Sequence, residues 1–356
     1  MNPLKGIPVN QNLESVAVLR KLTLAHQALA ELKGVATSIP NQAILVNTLS
    51  LQEAKDSSEI ENIITTQDEL YCSDLPKKYF VSLAAKEVHA YASALRQGVQ
   101  KIQKHVLLTN AHILDIQASI EENTAGFRKL PGTVLKNNLS GEVVYTPPQD
   151  FQEIQYLMTD LESFMNDDGL CEWDVLVKMA VVHHQFESIH PFYDGNGRTG
   201  RIINVLYLIQ KGLLNAPILY LSRYINQNKS EYYRLLQRVR ETADWEPWIL
   251  FILEGICQTS RQTIRLIHDM KDLMRHHKME MRTKLPKIYS QDFLNTLFGH
   301  PYTKIDRVMS ALSVSRLTAT RYLEKMVDIG LLSKEKRGRE SYYINQALMI
   351  LLSQAA

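Results

Sequence analysis

Cysteine is scarce in this chain: Cys72, Cys171 and Cys257 are the three thiols in 356 residues. Their odd number, wide spacing and lack of any C-x-x-C pair argue against a disulfide framework and point to small core or surface residues in a reducing cytosol. Long apolar runs are missing as well. The richest candidate, "VLYLIQKGLLNAPILYL", is interrupted by Gln210, Lys211, Asn215 and Pro217, so no stretch reaches the roughly 18 apolar residues of a membrane span. The opening "MNPLKGIPVNQNLESV" lacks the apolar run of a secretory signal, and a soluble, cytoplasmic chain with no membrane partner is expected. Charge of one sign is also absent. The 40 Lys plus Arg against 38 Asp plus Glu leave a net charge of +2, which carries no global nucleic-acid footprint. Any basic contact surface must be local. Neither an internal repeat nor a low-complexity tract is present.

What remains is an ordinary globular composition, 45% apolar and 22% charged, in a chain long enough to divide into two domains. Nearly every apolar run has helical periodicity. "LESVAVLRKLTLAHQALAELKGV" puts Val18, Leu22, Ala25, Leu29 and Leu32 on one side, with Gly34 as a stop. "YFVSLAAKEVHAYASALRQGV" and "WDVLVKMAVVHHQFESI" read the same way, and "WEPWILFILEGICQTSRQTIRLIHDMKDLM" reads as one long helix with Pro247 in its first turn. The exception is "LPGTVLKNNLSGEVVYTPPQD". There Val134, Leu135, Val143, Val144 and Tyr145 flank a turn-rich centre, as in a β-hairpin, and prolines 147 and 148 end it. One hairpin among helices is a functional flap rather than a core. The class is all-α.

The densest chemistry lies in "HPFYDGNGRTGR", residues 190 to 201, between two helical segments. Gly195, Asn196 and Gly197 stand just before a helix N-terminus, where free N–H groups and permissive glycine backbone make an anion site. Arg198 and Arg201 share a face of the first turn. Cations there oppose the helix dipole unless an anion binds between them, which suggests phosphate. Asp194 is placed to hold Mg²⁺, and His190 is the side chain able to take a proton near neutral pH. Base, metal carboxylate, phosphate cradle and cationic clamps together read as phosphoryl or nucleotidyl transfer. A dinucleotide G-x-G-x-x-G reading fits poorly because no strand precedes it, and no P-loop Lys-Ser/Thr is present.

In full, these twelve residues match H-x-F-x-D-G-N-G-R-x-x-R, and the chain resembles the Fic family of protein adenylyltransferases from about residue 35 to 256. "FESIHPF" upstream and "YLSRYINQNKSEYYRLLQRVRETADWEPWILFIL" downstream are similar to that family as well. The resemblance implies a helical Fic-fold core with a hairpin flap at 133–146, and transfer of AMP from ATP to a Ser, Thr or Tyr hydroxyl of target proteins or of the chain itself. Pyrophosphate would leave. By the same resemblance His190 is the base, Phe192 a loop anchor and Asp194 the Mg²⁺ ligand. Gly195, Asn196, Gly197, Thr199 and Gly200 belong to the ATP-binding loop, Arg198 and Arg201 clamp the γ- and β-phosphates, and Tyr232 and Tyr233 border the base. The flap would hold target segments by strand addition.

Upstream, "SSEIEN" at 57–62 places Ser57 and Glu61 four apart on one helix face. Read alone it is a solvated helix end; beside the motif it is similar to the family's inhibitory S/T-x-x-x-E-G/N, with Asn62 where glycine is frequent. The implied brake is Glu61 pairing with Arg198.

The tail resembles a winged helix: helices "SQDFLNTLF", "YTKIDRVMSAL" and "RLTATRYLEKMVDIG", then a basic hairpin "LLSKEKRGRESYYIN". Ser315, Arg316, Thr318, Thr320 and Arg321 are recognition-helix candidates, and Lys334, Lys336, Arg337 and Arg339 would line the wing. Seven Lys/Arg against four Asp/Glu between 315 and 340 is a mild excess, so a protein contact, including a homodimer, stands beside DNA as partner. The adjacent pairs His183–His184 and His276–His277 point about 100° apart and are not metal sites. The expected division is N-terminal helices 1–105, catalytic core 106–256, linker helix 257–287 and winged-helix-like 288–356. The rival function is a DNA-binding regulator whose Fic-like core is a sensor, or a transferase for another nucleotide.

Overall fold

A computed structural model describes residues 6–7, 11–39, 41–72, 82–136, 141–337 and 340–354. The N-terminal part holds α1 (Val16–Ala36), α2 (Gln42–Ile60), α3 (Gln67–Cys72), α4 (Leu83–His105) and α5 (Asn110–Glu121). Strands β1 (Leu135–Lys136) and β2 (Val143–Tyr145) pair antiparallel with Leu135 opposite Tyr145. Residues 137–140 of the expected flap lie outside the described residues. Then come α6 (Phe151–Asn166), α7 (Val175–Ile189), α8 (Asn196–Gln210), α9 (Leu221–Gln227), α10 (Lys229–Thr242) and α11 (Glu246–Lys284). The C-terminal part is α12 (Gln291–Phe298), β3 (Tyr302–Thr303), α13 (Ile305–Leu312), α14 (Arg316–Asp328), β4 (Ser333–Arg337), β5 (Glu340–Ile344) and α15 (Gln346–Gln354).

Helix α7 explains why the molecule is built around its centre. Asp174 caps it by accepting the Leu176 N–H at 2.8 Å, and every residue from Leu176 to Ile189 is buried. A helix buried on all sides must be enclosed by others. Helices α6, α8 and α11 pack against it. Contact with α8 is close enough to require glycine: a Cβ at Gly200 would lie 2.9 Å from Glu187 Oε1 and 3.0 Å from Phe186 Cδ1. Helix α2 packs against α4, α8 and α9, and α1 runs along α11.

Two sequence expectations shift at element ends. Gly34 does not stop α1, which continues to Ala36; a mid-helix glycine costs about 1 kcal/mol, and the burial of Leu32 and Ala36 outweighs it. Tyr302 and Thr303 do not open a helix. They form β3, paired with Tyr343 and Ile344 of β5 in a sheet of order β3-β5-β4, as aromatic and β-branched residues favour, and α13 starts at Ile305. The long-helix reading extends further than expected, since α11 runs for 39 residues through the expected linker with Pro247 in its first turn. Among the described residues no helix is long and apolar enough to cross a membrane.

Candidate active site at the α7–α8 junction

The chain turns sharply between α7 and α8. His190 ends α7 in the left-handed region (φ 48°, ψ 60°), and Gly195 enters α8 at φ 76°. Asn196 staples the loop: its Oδ1 accepts the Phe192 N–H at 2.8 Å and its Nδ2 donates to the Phe192 carbonyl at 2.9 Å. Phe192 is fully buried, its ring 5.4 Å from that of Phe127 and 6.4 Å from that of Phe186. The Asn196 side chain is therefore committed to the loop itself, and phosphate would meet only its backbone.

Carboxylates already face the anion loop. A Cβ at Gly197 would collide with a Glu61 carboxylate oxygen, and one at Gly195 would lie 2.5 Å from Glu121 Oε1. Negative groups are favoured at a helix N-terminus, and here glycine lets them approach the backbone.

The expected pairing of Glu61 with Arg198 is corrected by the geometry. Glu61 Oε1 accepts from Arg201 Nη2 at 2.8 Å, and Arg201 also donates through Nε to Ser57 Oγ (2.7 Å) and through Nη2 to the Ser57 carbonyl (2.9 Å). Helix α2 ends at Ile60, so Ser57 and Glu61, one turn apart, reach one guanidinium. Arg198 points elsewhere, donating to Glu121 of α5 at 2.8 Å and to Glu87 of α4 at 3.1 Å. Both arginines are 3% exposed. Burial alone would push the Glu61 carboxyl up, yet Arg201, then Arg198 and His190, hold it below its usual range. Glu87 and Glu121 carry no local sequence signal, because they meet Arg198 from 111 and 77 positions away.

Burial and nearby charge act together on the His190 ring. Burial first, then Arg240 and Arg128, push its ring down to about 4 against Glu61 and the Glu187 carbonyl, so the imidazole is neutral at pH 7. Asp194 is exposed, with Oδ1 accepting the Gly195 N–H at 2.7 Å. No group of three or more His, Cys, Asp or Glu converges as a metal cage among the described residues. Mg²⁺ needs no such cage, since it binds through one or two carboxylates with phosphate and water completing its shell. An exposed Asp194 beside the anion loop fits that requirement.

Three family descriptions match the chain: the Fic/DOC family N-terminal region over residues 19–100, the Fic/DOC family over 107–208, and the C-terminal domain of the protein adenylyltransferase SoFic-like group over 273–348. The chain belongs to the Fic family. A probable protein adenylyltransferase of Aquifex aeolicus is 29% identical over 201 residues, 55% of this chain and 56% of that protein. The chain thus spans little more than half of that relative. A Fic family protein from Desulfovibrio desulfuricans shares the fold over 94% of this chain and 98% of its own, with a TM-score of 0.57 and 18% identity. A Fic domain containing signaling protein from Bacteroides thetaiotaomicron does so over 68% and 96%, with a TM-score of 0.54 and 21% identity.

Other expected site residues of this Fic protein divide between pocket and core. Thr199 is buried, and Gly200 packs against Glu187 and Phe186 of α7. Tyr232 is corrected to a core residue, 1% exposed, its ring beside Trp248 and its hydroxyl 2.9 Å from His183 Nε2. Tyr233 alone of the pair is exposed, its ring edge-on to Tyr232 at 5.2 Å. His183 and His184 are buried and pushed down to about 3 by burial, which makes them neutral core groups. His277 is buried and His276 exposed.

In the C-terminal part, Arg316, Thr318, Thr320 and Arg321 lie on α14, with Ser315 as its N-cap accepting the Thr318 N–H. Several of the basic candidates already hold carboxylates: Arg316 with Asp306 (2.9 Å), Lys334 with Glu324 (2.5 Å), and Arg337 with Asp68 of α3 (2.6 Å). Tyr302 also bonds Asp68 through its hydroxyl. Lys336 lies on exposed β4, and Arg339 falls outside the described residues.

Proposed function

We propose that this chain is a protein adenylyltransferase, transferring AMP from ATP to a protein hydroxyl, and that its own α2 restrains it. The observation that carries the reading is the meeting of Glu61 and Arg201 over Gly197, beside a neutral His190. In the reaction, His190 takes the proton of a target Ser, Thr or Tyr hydroxyl. Its oxygen bonds to the α-phosphorus as the bond to the bridging oxygen of pyrophosphate breaks. Charge builds on the departing pyrophosphate, where the loop N–H groups of 195–197 and the Arg198 and Arg201 guanidiniums lie. Mg²⁺ held by Asp194 would supply further charge stabilisation there. Tyr233 would border the base, and β1 and β2 would pair with an extended target segment.

The brake follows from occupancy. Glu61 takes the guanidinium and the space over Gly197 that the triphosphate requires. ATP bound around it has its α-phosphate displaced, and a shift of about 1 Å can cost about 10²-fold in rate. Accordingly, Glu61→Gly incubated with ATP and Mg²⁺ gains the mass of adenylate about 10²-fold faster than the parent. Adding His190→Ala lowers that rate by about 10²–10⁴-fold. Equal labelling of parent and Glu61→Gly in intact-protein mass spectra removes the brake, and undiminished labelling after His190→Ala removes the mechanism.

A further inference from the structure

The loop bearing His190 hangs from the negative end of α7, where helix termini leave carbonyls without intrahelical donors. Five successive carbonyls, 187 to 191, are met here by donors from outside the helix. Arg240 of α10 donates through Nη2 to the Glu187 carbonyl (3.1 Å) and through Nε to Ser188 Oγ (3.0 Å). The Tyr145 hydroxyl of β2 donates to the Ser188 carbonyl at 3.0 Å. Arg128 donates through Nη2 to the Ile189 carbonyl (3.3 Å) and through Nε to the His190 carbonyl (2.8 Å), and its backbone N–H donates to the Pro191 carbonyl (2.8 Å). The same Arg128 Nη2 bonds the Pro148 carbonyl, just after the hairpin. The Arg240 guanidinium lies 4.0 Å over the Tyr145 ring, which joins these donors into one cluster.

Such a cluster does more than fill a core. A non-glycine residue in the left-handed region is strained and persists only where its surroundings over-determine it. His190 is such a residue, and bonds to its own carbonyl and to those on either side hold it there. Two cations at a helix C-terminus are also on the side the dipole favours.

We propose that Arg128 and Arg240, linked through Tyr145, are positioning residues for the base. Arg128 holds the backbone of His190 directly and Arg240 the last turn of α7 beneath it, and together they set the attitude of the ring toward the incoming hydroxyl and tie it to the hairpin. The proposal rests on the adenylylation reading. Four charged or polar groups from four elements bear on the ring: Arg240 from α10, Arg128 from the root of the hairpin, Glu61 from the end of α2, and the Glu187 carbonyl of α7. Burial and the two arginines favour the neutral ring, and the other two groups oppose them.

Arg128 is wholly buried and its loss can unfold the chain, so Arg240→Gln and Tyr145→Phe carry the test, made in the full chain with Glu61→Gly. The rate of self-adenylylation at saturating ATP is expected to fall about 10- to 100-fold in each, with the half-saturating ATP concentration unchanged within about twofold, as for a misplaced rather than a missing group. Histidine NMR without nucleotide supplies the second readout. The His190 midpoint is expected to rise above about 4 in Arg240→Gln while burial still holds it below the ordinary histidine range, to return in part in Arg240→Lys, and to stay in Tyr145→Phe. Unchanged saturating rates, or an unmoved midpoint in Arg240→Gln, overturn the proposal even if the melting temperature drops. If Glu61→Gly takes up no AMP at all, the adenylylation reading fails, and the His190 midpoint still decides whether Arg240 sets the ring.

Discussion

Arginines at the α7–α8 junction and those of the C-terminal part look alike in sequence, as short clusters near a helix start, and differ completely in the folded chain. Arg198 and Arg201 are nearly inaccessible and meet carboxylates carried by α2, α4 and α5. Arg316, at the start of α14, has a side chain 66% exposed and pairs with a still more exposed Asp306. Burial decides what such a pair does. In the junction a guanidinium has lost its water and is held by specific partners, so it can be switched by exchanging one anion for another. On the surface, water and salt screen the same pairing until about 0–1 kcal/mol is left.

The comparison can be sharpened by removing one charge from each region. Arg201→Ala strips Ser57 and Glu61 of a buried donor, but Glu61, with 35% of its side chain exposed, regains some water, so the expected cost in urea unfolding is about 2 kcal/mol, below that of a fully buried broken pair. A loss below about 1 kcal/mol would mean that the junction behaves like surface. A second effect, spread over pH, is expected from the buried acids of α2. Glu53, 2% exposed, is pushed up to about 8 by burial and Asp56 to about 6, while Tyr91 and Ser222 donate to Glu53. A carboxyl whose folded pKa is raised binds its proton more tightly when folded. Its contribution is therefore fully present below about 4.5 and is lost as pH rises toward about 8, by up to about 1.4 kcal/mol per pH unit. Melting temperatures measured from pH 5.5 to 8.5 should fall with pH, and fall less steeply in Glu53→Gln; an identical slope would place ionisation elsewhere. The smallest effect belongs to Arg316→Ala, expected within about 0.5 kcal/mol of the parent and with adenylylation unchanged.

Much of this contrast was readable before folding, though unevenly. The junction announced itself because base, carboxylate, glycines and arginines had to be adjacent for the loop to form, and a match over twelve residues survives any rearrangement elsewhere. Helix α7 was readable from the helical periodicity of its apolar residues, and the hairpin from its turn residues. Tyr232 was not, because a tyrosine beside another on a helix has the same pattern whether its ring faces a pocket or Trp248. Strand β3 was missed because two residues set no period, and its partner β5 is some forty positions later.

What the amino-acid sequence determined by itself is the chemistry available at residues 190–201 and the helical character of the chain, since both depend on neighbours a few positions apart. Only the tertiary structure decided which arginine Glu61 takes, that Glu87 and Glu121 hold the other, and that Arg128, Tyr145 and Arg240 grip the carbonyls beneath His190. Those partners are separated by 43 to 140 positions, and a pairing over such distances is set by how whole helices pack, which no local pattern encodes.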